Sequence, residues 1–165
     1  MPAERLGNLF DTHHPRLYAL ARRLSRDPEE ARDLVQETFL RVARHPGRIP
    51  AGESGAEAWL VRTLVNLCRD RHRKLRVMGS HRADVDTRPD PTDPESKAVA
   101  RATVEAALAR LSPRCRAVVV MRELEGLDTS EVARLLGMSR ATVRWHLHRG
   151  KRDLKKILID RGRMR

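Results

Sequence analysis

Apolar residues recur along the chain at steps of three and four, so the elements they predict are helices. Leu17, Leu20, Ala21 and Leu24 share one face of a first helix, expected over Pro15–Leu24 with Pro15 at its first position. Arg16, Arg22 and Arg23 fall on its other faces. The second start is marked by Asp27 as cap, Pro28 as first residue and Glu30 three positions after the cap. From it Ala31, Leu34, Val35, Thr38, Phe39 and Val42 form a stripe that runs to Arg44. Residues 45–55 hold two prolines and three glycines and predict a loop. A long helix is expected next, over Glu57–Arg76. Its first half, to Cys68, is largely apolar, and its second half carries five cations and one acid.

The pattern lapses over residues 79–97, which contain three prolines, five acids and one valine and predict a flexible linker. It resumes with Val99, Ala102, Val104, Ala106, Leu108 and Leu111 on one helix. Ser112 and Pro113 open the next, carrying Ala117, Val118, Val120, Met121 and Leu124 to about Gly126. Asp128 and Glu131 form a further capping box on a short helix ending at Gly137, and Ser139 caps a last, basic helix. Ala133, Gly137 and Val143 then have the spacing of a helix-turn-helix: a small residue where two helices meet, a glycine in the turn and an apolar anchor. The expected fold is all-α: two small helical domains, 1–78 and 98–165, joined by the linker 79–97, with the C-terminal domain a helix-turn-helix.

Composition sharpens this. The 165 residues carry a formal charge of +12, divided as +5 over 1–78, −2 over 79–97 and +9 over 98–165. Two basic bodies flanking an acidic connector suggest two modules that meet a polyanion. The 3% aromatic content favours helices packed on Leu, Val and Ala over a sheet. Cys68 and Cys115 are far apart and no signal sequence is seen, so reduced thiols in cytoplasm are expected. No apolar run approaches the roughly 20 residues of a membrane span, so no membrane insertion is expected. No metal or cofactor pattern is visible. His13 and His14 are expected at the surface, and His146 and His148, two apart, on different sides of their helix.

With Val143, Leu147 and Leu154 turned inward, the last helix presents Arg140, Arg144, His148 and Lys151 or Arg152 on its opposite face. The start of such a helix enters the major groove, which places Arg140, Ala141, Arg144 and Trp145 nearest base edges. Arg149, Lys151, Arg152, Lys155 and Lys156 lie further on, where phosphates would be. Thr142 completes the candidate DNA-reading set. Trp145 could equally pack over the preceding helix.

The chain resembles the bacterial sigma factors of the extracytoplasmic-function (ECF) group of the sigma-70 family over nearly its whole length. The residues that carry the resemblance are DPEEARDLVQETFLR (27–41), AWLVRTLVNLCRD (58–70), LSPRCRAV (111–118) and EVARLLGMSRATV (131–143), in that order. The resemblance implies a protein without chemistry of its own that binds core RNA polymerase at the β′ clamp helices and the β flap, directs it to promoter DNA and helps to open the −10 element. It implies polymerase contacts from Asp33, Gln36, Glu37 and Arg41. It also implies −10 contacts from Asn66, on an extruded base, with Arg62, Arg69, Arg71, Arg73 and Lys74 on phosphates. Trp59 matches a common family tryptophan but begins an apolar run, which favours a core role. The C-terminal helix-turn-helix would read the −35 element and the acidic linker would thread the polymerase. An anti-sigma factor is the implied regulator.

Two rivals differ in class. A helix-turn-helix regulator would bind an operator without joining the polymerase, and would not need the loop and basic half-helix of the first domain. A helical nuclease would hold a metal on Glu29, Glu30, Asp33 and Glu37, although capping already accounts for the first two and no second ligand cluster is visible.

Overall fold

The computed structural model describes residues 3–78 and 95–163. Their elements are α1 (Ala3–Leu24), α2 (Pro28–Arg44), a 3₁₀ turn (Pro46–Arg48), α3 (Glu53–Val77), α4 (Glu95–Ala109), α5 (Pro113–Val119), α6 (Thr129–Leu136) and α7 (Arg140–Arg163). A π-helical turn, Val120–Leu124, continues α5. Every described element is helical, in agreement with the all-α expectation.

The caps explain most of the boundaries. Asp27 accepts the Glu30 backbone N–H at 2.8 Å, and Glu30 in turn accepts the Arg26 N–H at 2.6 Å, so two donors at the start of α2 are satisfied by two carboxylates. Asp128 does the same for Glu131 at 2.9 Å, and these hydrogen bonds hold its carboxyl below the usual range. Ser139 Oγ accepts the Thr142 N–H at 3.0 Å at the start of α7. Ser112 occupies the cap position of α5, but its hydroxyl makes no cap bond.

Four boundaries differ from the sequence expectation. Helix α1 begins at Ala3 and holds Pro15 in its interior. Leu6, Leu9 and the buried His13 extend the apolar stripe upstream, and their packing outweighs the one backbone bond that proline removes. Helix α3 begins at Glu53, within the expected loop, because Gly52 turns the chain at φ 84° and Gly55 lies where a Cβ would sit 2.8 Å from Pro50. Helix α4 begins at Glu95, inside the stretch expected to be linker. Residues 79–94 of that stretch lie outside the described residues. The end of the α5 run widens into the π turn.

Helices α1, α2 and α3 pack on one another, and α5, α6 and α7 form a second group with α4 against α7. Leu17, Leu20, Leu60, Leu64 and Val42 are closed in the first group, and Met121, Val132, Leu135 and Val143 in the second. Burying side chains of this size contributes about 1.5–3 kcal/mol each. The two groups also touch. Helix α3 packs against α5 and α6, α1 meets α5, and one cluster of buried residues runs through both.

Candidate nucleic-acid interface

The turn between α6 and α7 is built as its spacing predicts. Gly137 takes the left-handed conformation (φ 63°, ψ 42°), Ala133 is nine-tenths buried and Val143 is fully buried. Anchored there, α7 leaves Arg140, Ala141, Thr142, Arg144, Trp145, His148, Arg149, Lys151 and Arg152 exposed. Thr142 Oγ1 lies 2.8 Å from the Ser139 hydroxyl, so it belongs to the cap as well as to the exposed face. Trp145 is 54% exposed, edge-on to the His146 ring, with the Arg149 guanidinium 5.2 Å from its centroid. The guanidinium over the ring forms a cation–π pair on the exposed face of α7. Lys151 is ion-paired to Glu123 at 2.8 Å, and Arg149 and Arg152 share Asp153 at 3.9 and 3.5 Å. Arg140 and Arg144 are the cations that stand nearest the start of the helix.

His146 and His148 part as expected: His148 is exposed and His146 is buried, its Nδ1 3.5 Å from Cys115 Sγ. His13 does not lie at the surface as expected; it is 6% exposed on the inner side of α1. His14 instead stacks toward Phe10, Phe39 and Tyr18. Both cysteines are free and buried, and burial, with Glu30 adding to it, pushes the Cys68 thiol up to about 12 against the opposing pull of Arg116 and Arg71.

The six candidates on α3 fall into two sets. Arg62, Asn66, Arg69 and Arg73 follow one another at steps of four, three and four on one face. Arg71 points elsewhere, onto α2, where it meets Glu30 at 3.2 Å and Asp33 at 3.7 Å. Lys74 lines a cleft between α2 and α3, whose edge Arg71 and Arg73 also reach. Trp59 is partly buried against the core, as its place in the apolar run predicts.

That cleft, of about 590 Å³, gathers all four candidate polymerase contacts, Asp33, Gln36, Glu37 and Arg41. Glu37 binds Arg41 at 3.3 Å and Arg44 at 3.5 Å. Sequence reasoning missed its apolar floor, Leu40 and Leu67, although the 39% exposure of Leu40 is what a partner surface provides. Three of the four carboxylates assigned to a nuclease are engaged otherwise. Glu30 faces Arg26 and Arg71, Asp33 faces Arg71, and Glu37 faces two arginines. Among the described residues no group of three His, Cys, Asp or Glu side chains converges as a metal site.

Further contacts join the two helical groups. Arg134 on α6 donates to Glu57 Oε2 at 2.7 Å and to the Ser54 carbonyl and hydroxyl at 2.7 and 2.8 Å. Arg16 pairs with the other oxygen of Glu57. Arg62 donates to the Arg134 carbonyl at 3.3 Å and lies over Gly137. Beneath them the buried Arg116 donates to the Ser25 carbonyl at 3.2 Å.

Comparison with known proteins gives these surfaces a context. The family description "Sigma-70 region 2" matches residues 9–77 and "Sigma-70, region 4" matches residues 101–154. The ECF RNA polymerase sigma factor SigL of Mycobacterium tuberculosis is 35% identical over 159 residues, covering 93% of this chain and 89% of SigL. The ECF sigma factor SigE of Mycolicibacterium smegmatis is 39% identical over 156 residues, which span 91% of this chain and 60% of SigE. Among solved structures, RpoE of Bartonella quintana in complex with the anti-sigma factor NepR shares the fold at a TM-score of 0.69 and 21% identity, covering 94% of this chain and 98% of that one. CnrH in complex with the cytosolic domain of CnrY does so at 0.61 and 24%, covering 96% and 91%. The chain belongs to the ECF group of the sigma-70 family of RNA polymerase sigma factors.

Proposed function

We propose that this protein is a promoter-specificity subunit that binds core RNA polymerase, reads two DNA elements and helps to melt one of them. Residues 1–78 form its region 2 body. The α2–α3 cleft with Asp33, Gln36, Glu37, Leu40 and Arg41 docks on the β′ clamp helices. The face of α3 bearing Arg62, Asn66, Arg69 and Arg73 holds the −10 element, while Arg71 and Lys74 border it. Residues 98–165 form the region 4 body, which reaches the β flap and lays the start of α7 in the −35 major groove, with Arg140, Ala141, Thr142, Arg144 and Trp145 toward base edges. His148, Arg149, Lys151 and Arg152 track the backbone. The linker spans the polymerase between them.

One observation carries the proposal. Matches to two promoter-binding regions occur in sequence order on one chain, and the second ends in a capped, exposed cationic helix over a left-handed glycine. An operator-binding regulator accounts for the second match but not the first. The solved neighbour bound to the anti-sigma factor NepR supports an anti-sigma factor as the regulating partner. Among the described residues no helix is long and apolar enough to cross a membrane, which suits work beside the polymerase in the cytoplasm. The function needs binding and deformation of DNA rather than bond chemistry, so no catalytic residue, metal or cofactor is assigned.

Run-off transcription with purified core polymerase on a genomic fragment library tests the proposal. Defined transcripts that begin only when the protein is added are expected. DNA binding without any dependence of transcription on the protein would favour the operator-binding regulator instead.

A further inference from the structure

A cavity of about 570 Å³ lies in the seam between the two helical groups. Well-packed interiors leave few voids larger than a water molecule, whereas pockets that hold small molecules measure about 300–1,000 Å³. The seam cavity has the second size, and its lining divides into a cationic part and an aliphatic part.

Cations outnumber acids there. Arg26 and Arg76 reach the cavity from the first helical group and Arg110, Arg116 and Arg149 from the second, against two carboxylates, Glu30 and Asp153. Both carboxylates are already engaged. Glu30 accepts the Arg26 backbone N–H and faces Arg71 at 3.2 Å, and Asp153 is shared by Arg149 and Arg152. Three of the cations converge on His72: after burial, it is Arg76, Arg26 and Arg116 that hold its imidazole below the ordinary 6.5.

Arg116 is the most buried of the five, at 8% exposure, and its hydrogen bonding is incomplete. Its Nη2 donates to the Ser25 carbonyl at 3.2 Å, and its Nε has no partner among the described residues. Burial pulls its guanidinium down to about 10, against the opposing effect of Cys68 and Glu30. A buried cation without a paired anion is costly, so an anion brought into this cavity is favoured.

The rest of the lining is largely aliphatic, with Leu24, Leu34 and Leu75 on one side and Ala106, Leu111 and Pro113 on the other. The His72 imidazole is the one ring in it, so a nucleobase would find little to stack on. Inorganic phosphate would satisfy the cations and leave the leucines uncovered. An aliphatic body with an anionic head matches both parts.

We infer that the seam cavity is a binding site for a small amphipathic anion, an aliphatic chain ended by a carboxylate or a phosphate, with Arg76 and Arg116 on the head group and the leucines along the chain. Such a site stands independently of the DNA-binding roles proposed above.

Isothermal titration of the full chain with decanoate and with decyl phosphate, each below its micelle-forming concentration, tests the site. One ligand per chain is expected, and the tighter of the two identifies the head group. Decanol, which lacks the charge, and inorganic phosphate, which lacks the chain, should each bind at least about 10-fold more weakly. Arg76 is exposed and is not among the assigned DNA or polymerase contacts; Arg76→Gln should weaken binding about 10-fold. Arg32→Gln, an equal change of charge on the exposed face of α2 and outside the lining, should leave binding unchanged. Arg116→Gln should abolish binding; because that residue is buried, circular dichroism is read first, and Arg76→Gln decides the matter where Arg116→Gln does not fold. No one-to-one binding of either anion would overturn the site. Decanol binding as tightly as decanoate would overturn the anionic class, and inorganic phosphate binding as tightly as decyl phosphate the aliphatic one. Equal weakening by Arg76→Gln and Arg32→Gln would reduce the binding to the overall charge of the chain and overturn the site as well.

Discussion

His146 Nδ1 lies 3.5 Å from Cys115 Sγ, tying the second turn of α7 to the start of α5 inside the C-terminal group. Burial, then Arg114 and Arg149, lower the pKa of His146 below its ordinary 6.5, so the folded chain holds it neutral. His72 is lowered in the same direction by burial and by Arg76.

A histidine with a depressed folded pKa contributes stability that is present above the unfolded value and is lost as pH falls below it. Stability should therefore hold from pH 8 to about 6.5 and decline toward pH 5, by at most about 1.4 kcal/mol per pH unit for each histidine. Urea midpoints measured across this range check the slope. His146→Gln should start lower at pH 8 and decline less steeply; a slope identical to that of the parent chain would remove His146 as its source.

Gly150 marks the closest approach of α7 to α5, for a Cβ there would meet Val119 Cγ2 at 2.6 Å and the Cys115 carbonyl at 3.5 Å. Overpacking costs about 1–3 kcal/mol, while alanine gains about 1 kcal/mol of helix propensity over glycine. Gly150→Ala should thus be destabilising by up to about 2 kcal/mol. Gly7, in α1, has nothing within 4 Å of such a Cβ, and Gly7→Ala should be stabilising by about 0.5–1 kcal/mol. Thermal midpoints that move in opposite directions for the two variants are the expected outcome.

Local signals made much of this fold legible. Asp27, Asp128, Ser139 and Gly137 announce their roles through neighbours three or four residues away, and each takes the position expected of it. Long-range packing was not legible. Proline 15 reads as a helix start until Leu6, Leu9 and His13 are found against the same core. Glu57 and Arg134 are 77 residues apart, and Arg16 and Glu57 are 41 apart; no periodicity relates them. A stretch with five cations in eight residues reads as one basic surface that includes Arg71, whereas the helical rotation sends Arg71 to Glu30. For the candidate site, the α7 face could be drawn from spacing, but Leu40 and Leu67 join the α2–α3 cleft only once two helices are laid together.

Cys68 borders the cavity between the helical groups, and with its thiol pushed up to about 12 by burial it is held as the thiol at pH 8. Iodoacetamide at that pH should alkylate Cys68 of the folded chain far more slowly than that of the chain in denaturant, where the pKa returns to its ordinary range. Mass spectrometry of timed samples checks this. Labelling as fast when folded as when unfolded would mean that the interface around Cys68 is open most of the time.

Arg144 stands on the exposed face of α7 one position after the buried anchor Val143, close enough to the helix start to reach into a major groove. Arg144→Ala removes no buried contact, so the fold and the α2–α3 cleft should be untouched. If Arg144 forms a bidentate contact with a base, its loss should cost about 1–3 kcal/mol on the −35 duplex and relax discrimination at one position, with little change in salt dependence. A phosphate contact would act differently: affinity would fall on all sequences and the logarithmic salt slope would shrink by about 0.9. Titrations of a promoter duplex and a scrambled duplex at two or more salt concentrations separate these cases. Core polymerase binding, measured alongside, should stay at the level of the parent chain, because the cleft proposed for the clamp helices lies on the other helical group and Arg144 is not assigned to the flap contact. Equal loss of polymerase and DNA binding would place Arg144 in neither role.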